Sequence, residues 1–395
     1  MRLLDVRHDS VSIGASIKNA YIDFSEMSVS VVALVTDVIR DGRRVIGYGF
    51  SSHGRYAVNG LLAGRFIPRL LNAEERDLVH EVNGTETFNP VRALEVLMKN
   101  EKPGGHGERA TAVGVLDMAL WDAASKVVGK PLADHLSDVF DLEPPEERIA
   151  VYAAGGYYSA DKSTRQLRDE LKAYLDAGFE SVKIKVGGAP IVEDLKRIEA
   201  AIDVVGSGGN VAVDANGRFD LASALEFAKE IEPYDLKWFE EPGDPHDFVL
   251  QAALGSSYKG AFATGENLFA SAEARNLVRH AGLNPQKDFL QFDPVLSYGI
   301  VEYVRTLEML DTYGWSPRRC IPHGGHQLSL HLAAAMRLGG NEAYPGVFLP
   351  FGGFGDAAKL QGGYVDRPKE PGIGLESNAR LFEVLAGLVE QDQFQ

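Results

Sequence analysis

Three acidic residues recur at equal spacing in the second half of this 395-residue chain. Asp214, Glu240 and Glu266 lie 26 residues apart, and each closes a short apolar run, in VAVDAN, KWFEEP and FATGEN. Carboxylate oxygens are the ligands that hard cations such as Mg²⁺ prefer, and unpaired carboxylates raise one another's pKa. Acids at strand ends can instead cap the helices that follow, but three in succession favour a metal site. Glu241, next to Glu240, is expected on the opposite face of its strand.

Two lysines lie in the apolar run before the first acid. Lys183 and Lys185 in VKIKV are two residues apart, so both face the same side of a strand, and burying two ammonium groups is costly without a function. Desolvation and mutual repulsion lower the pKa of a lysine, which would make one of them a base near neutral pH. The alternative is a pair of lysines whose ammonium groups reach solvent.

A histidine with an acidic partner is the next candidate. His323 in IPHGGHQ and Asp293 in LQFDP close consecutive apolar runs, so a carboxylate could fix the tautomer of the imidazole and raise its basicity. Glu342, 19 residues beyond His323, falls where a further strand should begin, although it could also be an exposed loop acid. HGGH could be a zinc pair, but its two glycines disfavour a helix and no thiolate accompanies it.

The elements that would position these residues alternate regularly. From about residue 149, seven apolar runs alternate with amphipathic helical patterns, and the polar residues that close six of the runs are 26 to 30 residues apart. Repeated βα units form a closed barrel or an open doubly wound sheet. The open sheet normally carries a glycine-rich loop after an early strand, whereas GSGG at 206–209 precedes its strand. We therefore predict a barrel whose strand ends bring all six residues to one mouth.

The N-terminal part shows a different pattern. Two β-rich runs over 29–50 flank Asp41-Gly42, a pair typical of a hairpin turn. Three helical patterns follow, at 73–82, 88–99 and 108–128. The predicted fold class is α/β, a barrel with an N-terminal α+β domain. The expected parts are the α+β domain over 1–130, the barrel over 145–368, and a C-terminal segment over 369–395 that returns to the first domain.

Composition limits the class of function. Lys and Arg number 40 against 56 Asp and Glu, a formal net charge of −16, which opposes binding to nucleic acid or to an anionic membrane surface. Apolar residues make up 45% of the chain, as in an ordinary globular protein, and no run of about 18 apolar residues could span a membrane. The single cysteine, Cys320, and the early charged residues favour a cytoplasmic protein without a signal peptide.

Nine stretches along the chain carry a resemblance to a known family. They are NAYIDF at 19–24, NEKPGGHGER at 100–109, LDMALWDAASKVVGKPL at 116–132, YAAGGYY at 152–158, KIKVGGAP at 183–190, VDANGRF at 213–219, ATGENLF at 263–269, LQFD with LSYG at 290–299, and SPRRCIPHGGHQ at 316–327. Through them the sequence resembles the enolase superfamily, in its mandelate racemase branch, and within that branch the dehydratases of D-tartrate.

The resemblance implies that the N-terminal α+β domain, completed by the C-terminal segment, is a capping domain over a modified TIM barrel, (β/α)₇β. It also implies Mg²⁺ on the three strand-end acids. Glu342 and the metal would hold the carboxylate of a small anionic acid sugar. Lys185, with its pKa lowered by Lys183, would remove the α-proton to give an enediolate stabilised by the metal. His323, oriented by Asp293, would protonate the departing 3-hydroxyl, and the enol would tautomerise to oxaloacetate.

The resemblance also implies the residues that read the distal half of the substrate. Capping loops near 15–26 and 51–63 would close the mouth, and the distal contacts would be Asn19, His53, Lys102 and Tyr157. A longer aldarate or aldonate, or racemisation of a 2-hydroxy acid, would use the same metal and bases. A catalytically silent barrel with a structural or binding role is the non-enzyme alternative. Family members that resemble this chain are often dimers or octamers, so a homo-oligomer is expected.

Overall fold

The N-terminal part is built on an antiparallel sheet of three strands in the order β1-β2-β3, followed by a β4-β5 hairpin. The computed structural model describes residues 1–51, 54–82, 84–159 and 163–389. The elements of this part are β1 Leu3–Ser12, β2 Ser28–Arg40, β3 Arg43–Phe50, α1 Val58–Leu61, α2 Ile67–Leu71, α3 Glu75–Leu78, β4 Val79–Val82, β5 Thr85–Phe88, α4 Pro90–Leu97, α5 Glu108–Val128 and α6 Leu132–Phe140.

The predicted hairpin and two of the three predicted helices are confirmed. Asp41 and Gly42 both adopt positive φ, 50° and 74°, between β2 and β3, as a two-residue hairpin turn requires. The helix predicted over 73–82 is wrong in its second half, because the chain becomes extended at Val79 and pairs with β5, Val79 opposite Phe88. The strand β1 was not predicted, because its largely polar and partly exposed sequence LLDVRHDSVS lacks a strong apolar pattern.

Helix α5 joins the N-terminal sheet to the barrel through close backbone contacts. A Cβ added at Gly47 of β3 would lie 2.1 Å from the carbonyl oxygen of Ala119, and one added at Gly114 of α5 would lie 1.9 Å from that of Val295. Only glycine allows approaches of this kind. The capping domain is therefore packed directly against the loop that carries Asp293.

Seven strands of the second half form the predicted barrel. Strands β6 to β11 pair in parallel in chain order, and β12 pairs in parallel with β6. These elements are β6 Arg148–Gly155, α7 Thr164–Asp176, β7 Val182–Lys185, α8 Ile191–Val205, β8 Val211–Asp214, α9 Leu221–Ile231, β9 Trp238–Glu240, α10 Phe248–Gly255, β10 Phe262–Thr264, α11 Ser271–His280, β11 Phe289–Leu290, α12 Ile300–Asp311, α13 Gln327–Ala335 and β12 Asn341–Ala343.

The seventh predicted strand, around Cys320, is reduced to a bridge. Cys320 pairs in parallel with Leu290, and its carbonyl oxygen accepts a hydrogen bond from the backbone N–H of Gly339 at 2.9 Å. The chain therefore passes between β11 and β12 at the place that a strand would occupy. The barrel-like arrangement and the fold class predicted from the sequence are confirmed.

The C-terminal segment contacts the capping domain. Strands β13 Leu360–Gln361 and β14 Tyr364–Asp366 extend the sheet from β6, and α14 Ala379–Ala386 follows. Asp122 of α5 accepts a hydrogen bond from the backbone N–H of Ile373 at 2.8 Å, and Lys126 lies 2.5 Å from Glu376. These contacts lie where the sequence predicted the segment to return. The exact three-part division stays a prediction.

Among the residues that the structure describes, no helix combines the length and the apolar character needed to cross a bilayer. The cytoplasmic location and the homo-oligomer stay predictions.

Candidate active site

The ends of three neighbouring barrel strands bring the predicted metal ligands together. Asp214 is the last residue of β8, Glu240 is the last residue of β9, and Glu266 follows the end of β10. Each offers a carboxylate oxygen, and the three oxygens lie within 4.8 Å of one another. Asp214 and Glu240 are fully buried, whereas Glu266 is partly exposed at the mouth. The predicted clustering is confirmed, and we call these residues the acid triad.

Hydrogen bonds from the barrel interior orient the two buried acids. The Glu240 carboxylate accepts from Trp238 Nε1 at 2.8 Å and from Gln291 Nε2 at 2.9 Å. The Asp214 carboxylate accepts from the backbone N–H of Asn216 at 2.8 Å. Such partners hold carboxylate oxygens in the positions that a cation would require.

Glu241 lies beside the acid triad, whereas strand alternation had predicted the opposite face. Its φ of +37° lies in the left-handed region, so the alternation stops where β9 ends. Asn267 Nδ2 donates to both Glu241 oxygens, at 3.2 and 2.9 Å, and also lies 3.3 Å from Glu266 Oε1. Burial, together with the neighbouring Glu266 carboxylate, raises the pKa of Glu241 well above its usual value.

Both lysines of β7 are buried and face the acids. Lys183 Nζ lies 2.5 Å from Glu240 Oε1, 2.7 Å from Glu342 Oε1 and 3.7 Å from Asp214 Oδ2. Lys185 Nζ donates to Asp214 Oδ2. The alternative of two lysines that reach solvent is therefore wrong.

The carboxylates outweigh the effects that were expected to lower the lysine pKa values. Burial disfavours the charged form of Lys185, but Asp214 and Tyr157 raise its pKa above the usual value. Glu240 and Glu342 act on Lys183 in the same way. A divalent cation on the acid triad would oppose this effect, because its charge would neutralise the carboxylates.

His323 forms the predicted pair with Asp293. The Nδ1 atom lies 2.9 Å from Asp293 Oδ2, and Asp293 Oδ1 accepts from the backbone N–H of Val295 at 2.8 Å. Burial disfavours the imidazolium, but Glu266 and Asp293 raise the pKa of His323 to about 9. His323 Nε2 lies 3.5 Å from Glu266 Oε2. Lys185 contacts Asp214, so the two groups lie at opposite ends of the acid triad.

Glu342 lies on β12, fully buried, so the alternative of an exposed loop acid is wrong. Its Oε2 atom accepts from the Tyr344 hydroxyl at 3.0 Å and from the backbone N–H of Gly324 at 3.1 Å. Burial favours the neutral form, but Lys183 and His323 lower the pKa of Glu342 to about 2.

Tyr344, Trp238 and Gln291 are site residues that the sequence analysis missed. Tyr344 follows Glu342 by two residues, and strand periodicity would have placed both on one face. Trp238 precedes Glu240 by the same interval. Gln291 precedes Asp293 by two residues as well, in LQFD.

The zinc alternative for HGGH is not supported. His326 begins α13 as its cap, and its side chain accepts from the backbone N–H of Ser329. In the part of the chain that the structure describes, three or more possible metal ligands come close enough to share an ion at the acid triad, which contains no histidine.

Tyr157 and Asn19 lie where the capping loop meets the barrel. The Tyr157 ring is buried and its centroid lies 5.1 Å from Lys185 Nζ. Lys18 and Tyr158 exchange two backbone hydrogen bonds, at 2.9 and 2.8 Å, which fasten the loop beside this ring. The side-chain oxygen of Asn19, the next residue, accepts from the backbone N–H of Ile22 at 2.7 Å.

The structure does not bring Lys102 to the acid triad. Lys102 is exposed and lines a separate cleft of about 390 Å³ together with His106, Arg109 and Tyr298, and no residue of the triad lines that cleft. His53 lies outside the described residues. Both stay predictions as substrate contacts.

Comparison with known proteins identifies the family of this chain. Residues 166–381 match the family model described as enolase C-terminal domain-like. Arabinonate dehydratase of Saccharolobus solfataricus is 29% identical over 292 residues, which cover 71% of this chain and 73% of that protein. L-talarate/galactarate dehydratase of Salmonella typhimurium is 27% identical over 308 residues, which cover 78% of this chain and 71% of that protein.

Solved structures share the fold over almost the whole chain. A racemase from Streptomyces coelicolor with bound magnesium has a TM-score of 0.78 at 23% identity, covering 98% of this chain and 99% of its own. L-talarate/galactarate dehydratase from Salmonella typhimurium, liganded with Mg and L-lyxarohydroxamate, has a TM-score of 0.74 at 22% identity, covering 93% and 88%. The chain belongs to the enolase superfamily, in its mandelate racemase/muconate lactonizing enzyme branch, with acid-sugar dehydratases as distant homologues.

Proposed function

We propose that the chain is a Mg²⁺-dependent hydro-lyase that removes water from an acid sugar, with D-tartrate as substrate and oxaloacetate as product. The observation that carries this proposal is the placement of Lys185 and His323 at opposite ends of the acid triad. A 2-hydroxy acid held at the triad would have a base on one side and an acid on the other. Elimination of water uses a base for the α-proton and an acid for the leaving hydroxyl.

The acid triad is suited to Mg²⁺. Its donors are three carboxylates within 4.8 Å of one another, and hard oxygen ligands are those that Mg²⁺ prefers. Burial and the neighbouring Asp214 and Glu266 carboxylates raise the pKa of Glu240 to about 8, and a cation bound there would relieve the repulsion among the three carboxylates. Mg²⁺ bound there would supply the positive charge that favours loss of an α-proton beside a carboxylate.

Lys185 would act as the base. Its ammonium is buried beside the Tyr157 ring and has Asp214 as its acceptor. Engagement of Asp214 by a cation would remove that acceptor and favour the neutral amine of Lys185, whose lone pair would take the α-proton. The electron pair of the broken C–H bond would then form the new double bond. Lys183, held by Glu240 and Glu342, would remain a fixed positive charge near the substrate carboxylate.

His323 would act as the acid. Asp293 accepts at Nδ1, which leaves Nε2 to carry the transferable proton. As the C–O bond breaks, the 3-hydroxyl would leave with its electron pair and take this proton to become water. A substrate carboxylate beside Glu342 would raise the pKa of that residue, because like charges do so, and would allow Glu342 to donate a hydrogen bond.

The choice of D-tartrate depends on the capping contacts. Tyr157 lies close to Lys185, and the loop that carries Asn19 is bound to the neighbouring Tyr158. Tyr157 and Asn19 would supply polar contacts to a short substrate, and Lys102 and His53 are the further proposed contacts. The dehydratases of arabinonate and of L-talarate or galactarate among the relatives favour a longer acid as the second candidate. The two-sided placement of Lys185 and His323 would also serve a racemase.

A panel of acid sugars with Mg²⁺ tests the substrate proposal. We expect D-tartrate to give the highest kcat/KM for 2-keto acid formation, about 10- to 100-fold above a monocarboxylate analogue, because the analogue would leave distal polar groups without partners. Preference for a six-carbon diacid would show that the substrate is wrong while the dehydratase proposal stands. Formation of a stereoisomer without keto acid would favour the racemase.

A further inference from the structure

The hydroxyl of Tyr344 joins the proposed acid to Glu342. Its oxygen lies 3.1 Å from His323 Nε2 and 3.0 Å from Glu342 Oε2, and its ring is buried. We propose that Tyr344 is a positioning residue that holds the His323 imidazole in the orientation needed to protonate the leaving hydroxyl. This inference rests on the proposed function, in which His323 is the acid.

The two hydrogen bonds of the hydroxyl define the direction of its own proton. The Glu342 carboxylate accepts the Tyr344 O–H, so the oxygen of Tyr344 presents a lone pair to His323 Nε2. Asp293 likewise accepts at Nδ1. With an acceptor at each ring nitrogen, the imidazole is held in its plane with a proton on Nε2, which is the proton that the elimination would use.

Loss of this hydroxyl would affect His323 more than Glu342. Glu342 keeps its ion pair with Lys183 Nζ, at 2.7 Å, and the hydrogen bond from the backbone N–H of Gly324, at 3.1 Å. Among the described residues, Tyr344 is the hydrogen-bond partner of His323 Nε2. Glu266 Oε2 lies farther away, at 3.5 Å.

The second glycine of HGGH, Gly325, makes room for the Tyr344 ring. A Cβ at Gly325, whose φ is +58°, would lie 2.7 Å from a ring carbon of Tyr344. Phe348 packs edge-on against the Tyr344 ring, with ring centroids 5.1 Å apart and planes at 84°. The position of the hydroxyl is therefore fixed by backbone and ring packing before any substrate binds.

The variant Tyr344→Phe tests this inference, because it removes the hydroxyl and keeps the ring. We expect kcat for dehydration to fall about 10-fold, the value for loss of one positioning hydrogen bond, with KM changed less than about 2-fold. Exchange of the α-proton with solvent uses Lys185 and not His323. The ratio of exchange to dehydration should therefore rise about 10-fold, which a merely structural defect would not produce.

Tyr303→Phe is the matched control. The Tyr303 hydroxyl is buried without a hydrogen-bond partner among the described residues, and its removal should leave both rates unchanged. If Tyr344→Phe does not fold, Tyr344→Met also lacks the hydroxyl and should show the same rise in the ratio. Unchanged kcat, or a ratio that does not rise, would overturn the inference.

His323→Asn separates this inference from the proposed function. If His323→Asn dehydrates as fast as the wild type, His323 is not the acid and the proposed function fails with the inference. If His323→Asn loses dehydration while Tyr344→Phe keeps it, the inference about Tyr344 fails and the proposed function stands.

Discussion

Replacement of Lys185 by alanine is expected to stop both dehydration and exchange of the substrate α-proton with solvent. Lys185 is 5% exposed, with its ammonium against Asp214 and the Tyr157 ring. Because the site is buried, a base from the solvent cannot easily replace the lysine. Loss of a general base lowers kcat by about 10²- to 10⁴-fold. Proton NMR in deuterated solvent would follow the α-proton and the keto product together.

Lys196→Ala is the matched control for this variant. Lys196 is an exposed lysine of α8 paired with Glu193, and its loss should leave both rates at the wild-type level. Exchange that persists in Lys185→Ala at the rate of the wild type would assign the base to another residue. Binding of Mn²⁺, followed by its paramagnetic resonance, would verify that the variant retains the metal site.

Removal of the divalent cation is expected to abolish the activity, and addition of Mg²⁺ is expected to restore it. Asp214→Asn should weaken binding of Mg²⁺ and lower kcat/KM by at least about 10²-fold, because it replaces a charged oxygen ligand, which also accepts from Lys185, by a neutral amide. Titration calorimetry with Mg²⁺ measures the first effect without any turnover.

Glu302→Gln is a suitable control for the charge change. The Glu302 carboxylate lies on α12 outside the acid triad and accepts from the backbone N–H of Ser271, so its variant should bind Mg²⁺ as the wild type does. Activity that survives exhaustive chelation would refute the metal site.

The sequence was sufficient to predict the barrel and the residues at its mouth. In a barrel of parallel strands, residues that recur at equal spacing at the strand ends lie close together in space, because every strand ends on the same side of the barrel. Asp214, Glu240 and Glu266 meet for this reason. His323 and Asp293 follow the same rule, although the strand before His323 is only a bridge at Cys320.

Features that depend on local backbone or on distant contacts could not be predicted. The positive φ of Glu241 turns its carboxylate toward the triad, and strand alternation alone places it on the wrong face. The pKa of Lys185 depends on the acids around it and not on its lysine neighbour alone. The position of Lys102 could not be predicted either. Lys102 lies in a loop outside the barrel and lines a separate cleft, and no strand periodicity relates that loop to the acid triad.

The measurement that tests the central claim most directly is proton NMR of D-tartrate with the wild-type protein and Mg²⁺ in deuterated solvent. The account predicts that the tartrate signal is lost, that oxaloacetate appears in equal amount, and that neither change occurs after chelation. Absence of keto acid from D-tartrate and from every other acid sugar of the panel, or formation of a stereoisomer alone, would contradict it.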